Sequence, residues 1–345
     1  EANFQPLTPL VFLARAADVM PDHTAIIHGS SAWTYVMFYR RSRRLASAIA
    51  ERDIGRGDAV SVLLPNVPAM LEAHHGVPMS GAVLHAINTR LDAATIAFQL
   101  DHCKSRMLIV DRALLSLAEA ALELCEVTPA LVLYDDPEWN SASDADRLVQ
   151  PVLSADRWQD YEDMISRGDP NFEWLMPQDE WDAIAISYTS GTTGDPKGVV
   201  THHRGAYLLA QGNALIATMP RHATYLWTLP MFHCNGWCFP WTLSVLFGTH
   251  VCLREVRAEP IWQALAEHDV THLCGAPPVM ALLVSTPGAE RKALARTVEF
   301  FTAAAPPPRP TLAGMEQAGF NVTQLYGLTE TYGPAVVNEW HKEWD

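Results

Sequence analysis

The sequence predicts an α/β fold in which parallel strands carry helices on both faces. Short apolar runs alternate with segments of helical period along most of the chain, the pattern of strands joined by helical crossovers. The 345 residues, 49% apolar and 18% charged, are enough for about two domains and a large core.

Element by element, a helix is expected over Val36–Ala50, with Thr34 or a neighbour as its cap. Strands follow at Ala59–Leu64, Ala82–Ile87, Met107–Val110 and Leu131–Tyr134, separated by helices at Ala69–His75, Asp92–Asp101 and Ala113–Cys125. Residues 135–180 interrupt the rhythm. They are rich in Asp, Ser, Pro and Trp and read as a loop-rich insertion with one helix near Trp158–Ser166. The rhythm resumes with strands at Ala183–Tyr188, Tyr225–Leu229, His250–Leu253, His272–Cys274, Phe300–Ala303 and Val322–Leu325. Helices are expected at Gly205–Ala217, Trp237–Phe247, Pro260–His268, Val279–Val284 and Thr311–Gly319.

A net charge of −15, from 24 basic and 39 acidic residues, argues against nucleic acid or an anionic membrane as the main partner. The one basic run, Arg40, Arg41, Arg43 and Arg44, falls in the first helical pattern and reads as a solvated helix face. Cys103, Cys125, Cys234, Cys238, Cys252 and Cys274 form no C-x-x-C pair and read as free thiols of a reducing compartment, with a cytoplasmic location expected. His233, Cys234 and Cys238 lack the second ligand pair of a zinc site. No run of apolar residues is long enough for a transmembrane helix, and no secretory signal is visible in the given sequence.

The most informative segment is Tyr188-Thr-Ser-Gly-Thr-Thr-Gly-Asp-Pro-Lys-Gly198, directly after an apolar strand. Gly191, Gly194 and Gly198 permit backbone angles that turn successive N–H groups toward an anion. The hydroxyls of Thr189, Ser190, Thr192 and Thr193 add donors, and Lys197 adds a positive charge. A Walker A loop is excluded, because Lys197 lies between Pro196 and Gly198 rather than opening a helix as Gly-Lys-Ser/Thr.

This segment resembles the signature of the adenylate-forming superfamily: acyl-CoA synthetases, luciferases and peptide-synthetase adenylation domains. Three further segments appear in that superfamily's order, so the resemblance covers essentially the whole chain. In Gln324-Leu-Tyr-Gly-Leu-Thr-Glu330 it implies that Tyr326 stacks on adenine, with Gln324, Leu325 and Gly327 beside it. It also implies that Thr329 contacts the α-phosphate and that Glu330, with Thr189, holds Mg²⁺. In Thr302-Ala-Ala-Ala-Pro306 the backbone of Ala303, Ala304, Ala305 and Pro306 would run along the adenosine, where relatives usually have a glycine. In Pro230-Met-Phe-His-Cys-Asn-Gly-Trp237, His233 would lie beside the acyl carboxylate, and Asn235, Gly236 and Trp237 would line the acyl site, with Trp237 as a gate.

The implied activity is an ATP-dependent carboxylate–CoA ligase. The acid attacks the α-phosphorus of ATP, pyrophosphate leaves, and coenzyme A (CoA) takes the acyl group from the adenylate as AMP departs. Lys197, Thr189, Thr193, Thr329 and Mg²⁺ would offset the charge crowding between the two anions. Amino-acid-activating relatives place an aspartate near the start of the His233 segment, and none stands here, which points to an acid with an uncharged tail. Pro6-Leu-Thr-Pro-Leu10, Asn88-Thr-Arg90 and Cys234-Asn-Gly-Trp-Cys238 resemble the branch of medium-chain and methylmercaptopropionate–CoA ligases and plant peroxisomal acyl-activating enzymes. A short- or medium-chain, or aryl, acid is the expected substrate. Two other classes remain open: an adenylating enzyme with a different acceptor, such as an acyl-AMP ligase or a luciferase, and a non-catalytic nucleotide-binding module.

The resemblance further implies a layered αβαβα domain of two sheet subdomains. Residues 58–201 would form one and carry the phosphate loop, while 1–57 and 202–345 would form the other and carry the acyl and adenine sites. A homodimer through this domain is common among such relatives. A Thr-Gly-Asp motif, a hinge and a small C-terminal domain with an essential lysine follow the Glu330 segment in the superfamily, and none occurs between Glu330 and Asp345. The chain therefore reads as an N-terminal part, without most of the β-barrel or the C-terminal domain, weakly active or inactive by itself.

Overall fold

A computed structural model describes residues 3–140, 157–189 and 195–338. Fifteen strands run through them: β1 (Thr24–His28), β2 (Ser31–Thr34), β3 (Ala59–Leu63), β4 (Val83–Ala86), β5 (Met107–Asp111), β6 (Ala130–Tyr134), β7 (Gln159–Asp160), β8 (Ala183–Tyr188), β9 (Gly198–His202), β10 (Thr224–Leu226), β11 (Thr249–Cys252), β12 (His272–Cys274), β13 (Val298–Thr302), β14 (Phe320–Leu328) and β15 (Gly333–Val337). They form two sheets, a seven-stranded one in the order β7-β6-β5-β3-β4-β8-β9 and an eight-stranded one in the order β15-β14-β13-β12-β10-β11-β1-β2.

Interior pairs are parallel, as helical crossovers require. β3 pairs with β4 and β5, β4 with β8, and β12 with β13, which pairs in turn with β14. Among the described residues, antiparallel pairs join strands that follow each other in sequence: β1 with β2, β8 with β9, and β14 with β15. β3, β4 and β5 are buried at every position, which accounts for their unbroken apolar runs.

Three apolar clusters separate the layers. Helices Ala93–His102 and Leu115–Leu122 cover the outer face of the seven-stranded sheet. Helices Ala258–Glu267, Pro277–Ser285 and Arg309–Gln317 cover the outer face of the eight-stranded sheet. A third cluster lies between the sheets and includes helix Pro68–Met79, buried at every residue. The result is the expected αβαβα layering. Asn66 stitches the sheets together: its Nδ2 donates to the carbonyls of Trp227 and Leu229, and its Oδ1 accepts from the N–H of Met231.

Helix Tyr35–Ala50 forms as expected, with the Thr34 side chain accepting from the N–H of Met37. Its basic run departs from the expectation. Arg40 alone is exposed. Arg41 pairs with the buried carboxylate of Glu72 and with Glu162. Arg43 donates to the carbonyl of Phe172, and Arg44 to those of Ser166 and Gly168. The cause is tertiary: residues 161–172 lie across this helix face, and their carbonyls and carboxylates need donors. Helix Leu10–Val19 and strands β1, β2, β7, β9 and β15 lie outside the sequence expectation. Each is short, polar-interrupted or adjoins a motif read as loop.

Candidate active site

The carboxyl ends of parallel strands are where α/β sheets bind ligands, and the motif residues collect there. β8 ends at Tyr188, and β9 returns antiparallel from Gly198. The base of the intervening loop is closed twice. The N–H of Thr189 donates to the carbonyl of Lys197 at 3.0 Å, and the N–H of Lys197 donates to Thr189 Oγ1 at 3.2 Å. Gly198 sits where a Cβ would meet the Ile186 side chain at 2.8 Å, so the return strand can lie close to β8. Ser190, Gly191, Thr192, Thr193 and Gly194 lie outside the described residues.

The 3₁₀ turn Thr329–Thr331 packs against β9, within 8 Å between Cα atoms. The chain leaving Lys197 therefore runs beside Glu330. The Thr331 hydroxyl fixes this turn by accepting from the N–H of Leu328 and donating to the carbonyl of Gly333. Glu330 is exposed and makes no ion pair among the described residues. An exposed, unpaired carboxylate oxygen suits a hard divalent cation.

On β14, Tyr326 is 59% exposed, while Leu325 is buried in the core. Gln324 and Gly327 are half-buried. Gly327 approaches Gly333 so closely that a Cβ would lie 2.1 Å from its carbonyl oxygen. β13 ends at the buried Thr302, and Ala303, Ala304, Ala305 and Pro306 lead outward from it. Ala304 has φ +77°, the left-handed region that favours glycine.

The His233 segment differs most from expectation. A right-handed helix was expected from Trp237; it begins instead at Phe239. Cys234, Asn235, Gly236, Trp237 and Cys238 all have positive φ, between 40° and 68°, making one left-handed turn. The cost is on the order of 1–2 kcal/mol for each non-glycine residue, and such strain persists only where the surroundings over-determine it. Gly236 is forced by space as well, since a Cβ there would lie 2.9 Å from the Trp227 ring.

Three elements hold the turn. Ser187 of β8 donates to Asn235 Oδ1 at 2.6 Å, Asn213 Nδ2 of helix His203–Ile216 donates to the Trp237 carbonyl at 2.8 Å, and the Cys234 thiol contacts Thr329 Oγ1 at 3.7 Å. Burial pushes the Cys234 thiol above its ordinary pKa, with the Glu330 carboxylate acting in the same direction, so it is a protonated donor rather than a thiolate. His233 keeps part of its ring open to solvent. Desolvation, then the charge of Arg90, lowers its pKa and favours neutral imidazole.

Cys234, Trp237, Ala303, Leu325, Gly327 and Gly333 line one small cleft. Three motifs far apart in sequence thus meet at one place. Ser187, Asn213 and Arg90 were not foreseen as site residues. Ser187 lies one residue before the recognisable motif, Arg90 ends the Asn88-Thr-Arg90 segment that carries the branch resemblance, and nothing local marks Asn213.

A family model described as AMP-binding enzyme matches residues 13–345. The chain belongs to this family. It is 49% identical to the peroxisomal acetate/butyrate–CoA ligase of Arabidopsis thaliana and 44% identical to an acetate–CoA ligase of Humulus lupulus, in each case over 100% of this chain and 61% of the relative. The chain thus spans about three fifths of the length of these curated relatives. Among solved structures, the N-terminal domain of FACL13 from Mycobacterium tuberculosis matches with a TM-score of 0.80 at 22% identity, covering 96% of this chain and 78% of that one. The o-succinylbenzoate CoA synthetase of Bacillus subtilis, solved in complex with ATP and magnesium ion, matches at 0.75 and 22% identity, covering 95% and 61%. These two likenesses establish the fold.

Proposed function

We propose that the protein is an ATP-dependent carboxylate–CoA ligase acting on a short- or medium-chain, or aryl, acid. The observation that carries this reading is the packing of β9, which leaves Lys197, against the Thr329–Thr331 turn, while Cys234 of the acyl segment contacts Thr329. One triphosphate could then meet Lys197, Thr189 and Thr329 together, with the acid on the His233 side. Glu330, with Thr189, would hold Mg²⁺, which supplies charge neutralisation at the phosphates when bound. Lys197 would do the same as a fixed cation, and Tyr326 and the Ala303–Pro306 backbone would orient adenosine.

In this reading an acid oxygen bonds to the α-phosphorus and pyrophosphate leaves. The CoA sulfur then bonds to the acyl carbon, its proton is lost, and AMP leaves. Asn235, Gly236 and Trp237 would shape the acyl side of the cleft, and the neutral His233 would face the carboxylate. The names of the relatives, acetate/butyrate–CoA ligase and acetate–CoA ligase, favour a small acid. Each sheet's strand membership supports two subdomains, 58–201 and 1–57 with 202–345. No helix among the described residues is long and apolar enough to cross a membrane. A cytoplasmic location competes with the peroxisomal label of several relatives, and a homodimer through this domain is carried as part of the same proposal.

The test is AMP release by the full-length protein with acetate, butyrate, 2-methylpropanoate and cinnamate, each with and without CoA. CoA-dependent turnover of one acid is the expected result. Transfer to a carrier protein but not to CoA would move the assignment to a different acceptor. Nucleotide binding without pyrophosphate exchange would leave only a binding module.

A further inference from the structure

A left-handed turn of mostly non-glycine residues does not hold itself. Of the contacts that hold this one, the shortest comes from β8, the strand that delivers the phosphate loop. Ser187 is only 5% exposed and stands two residues before Thr189. Its hydroxyl engages Asn235 Oδ1, while Asn235 Nδ2 is buried with no partner among the described residues. Asn235 is itself fully buried and sits second in the turn that carries Cys234 to Cys238, directly after His233.

We infer that Ser187 is a positioning residue: through Asn235 it fixes the acyl-site turn, and with it His233 and Trp237, relative to the phosphate loop. The inference rests on the ligase reading above. The physical reasoning is short. A β-strand paired on both sides is stiff, and β8 pairs with β4 on one side and β9 on the other. The place where β8 ends therefore sets both Thr189, at the base of the loop, and the Ser187 hydroxyl. Removing that hydroxyl leaves both ends of a buried amide without a partner, which favours relaxation of the strained turn. The phosphate loop keeps its own closure through Thr189 and Lys197. Damage should thus fall on the acid and spare the nucleotide.

The experiment uses the full-length protein with Ser187→Ala, Asn235→Ala and the double variant. kcat and KM for the acid are measured, together with ATP affinity in the absence of acid. Expected for Ser187→Ala is a 10- to 100-fold fall in kcat/KM for the acid, mainly through KM, with ATP affinity within threefold of wild type. The double variant should lose no more than Asn235→Ala alone, since both changes break one bond. If Ser187→Ala does not fold, Ser187→Cys is read in its place. It keeps the size of the side chain and a weaker donor, and should show a smaller fall in the same parameter. Acid kcat/KM within twofold of wild type in whichever variant folds, or losses that add in the double variant, overturns the inference. A wild-type protein that forms no acyl-CoA overturns the ligase reading instead.

Discussion

Thr189 and Lys197 close the phosphate loop on each other. One bond is backbone to backbone, and the other runs from the N–H of Lys197 to the Thr189 hydroxyl at 3.2 Å. The hydroxyl expected to serve phosphate or metal thus also tethers the residue that supplies the cation. Thr189→Ala removes the tether and should lower acid-dependent pyrophosphate exchange by about 10- to 100-fold, the scale of a misplaced catalytic group. Thr189→Ser keeps the oxygen and should stay within a few-fold of wild type. Equal rates for the alanine and serine variants would show that the tether is idle.

Gly236 combines a left-handed backbone with a neighbouring tryptophan ring. Gly236→Ala must shift the turn or Trp227, at a cost on the order of 1–3 kcal/mol. Urea unfolding should show that loss, and acid KM should rise with it. An alanine variant of unchanged stability would mean that the turn relaxes freely.

Ala304 presents the opposite case, an alanine where the backbone suits glycine. Relief of the left-handed strain should outweigh the extra freedom of a glycine in the unfolded chain. Ala304→Gly is expected to stabilise by about 0.5–1 kcal/mol in the same unfolding assay. If the 303–306 backbone orients adenosine as proposed, ATP affinity should not fall.

Arg41 neutralises Glu72, whose side chain is 1% exposed and also accepts from the Tyr161 hydroxyl at 2.7 Å. Arg41→Ala leaves that carboxylate buried without its cation and should cost about 3–5 kcal/mol. Replacing the pair together, as Arg41→Met with Glu72→Leu, should recover much of the loss. No recovery in the double variant would show that Arg41 matters through Glu162 and packing instead.

Several histidines are held neutral by burial. His74, His85, His203 and His272 are lowered to about 4, and His75 to about 3, desolvation being the main cause for each. The unfolded chain takes up these protons near the ordinary value of 6.5, while the folded chain resists until about 4. Stability should therefore be full above 6.5 and fall as pH drops toward 4, by up to about 1.4 kcal/mol per pH unit for each histidine. A pH series of urea midpoints should bend downward below 6.5. His272→Gln should soften the slope, and a flat series between pH 6.5 and 4.5 would contradict the account.

Much of the architecture was legible because its strands are buried on both faces. Runs such as Ala183–Tyr188 and His272–Cys274 are mostly apolar, and their polar members Ser187 and His272 are buried with them, so the structure returns those limits unchanged. β1 and β2 escape the sequence reading because both are short and interrupted by polar residues, and β9 because it starts at Gly198, where the phosphate-loop motif ends.

By itself the sequence determined the chemistry available: a glycine- and hydroxyl-rich turn ending in lysine, a carboxylate at 330 and a histidine at 233, in the order of a known family. Those signals are local, because phosphate cradling depends on consecutive backbone groups and a few fixed neighbours. Only the tertiary structure decided that Ser187 meets Asn235, that Cys234 meets Thr329, and that the basic run at 40–44 is mostly spent on internal partners. It also decided the hand of the turn at 234–238. Helical propensity favours the right-handed form there, and contacts from three separate elements override it. Such contacts join residues tens to more than a hundred positions apart, so no local window of sequence contains them.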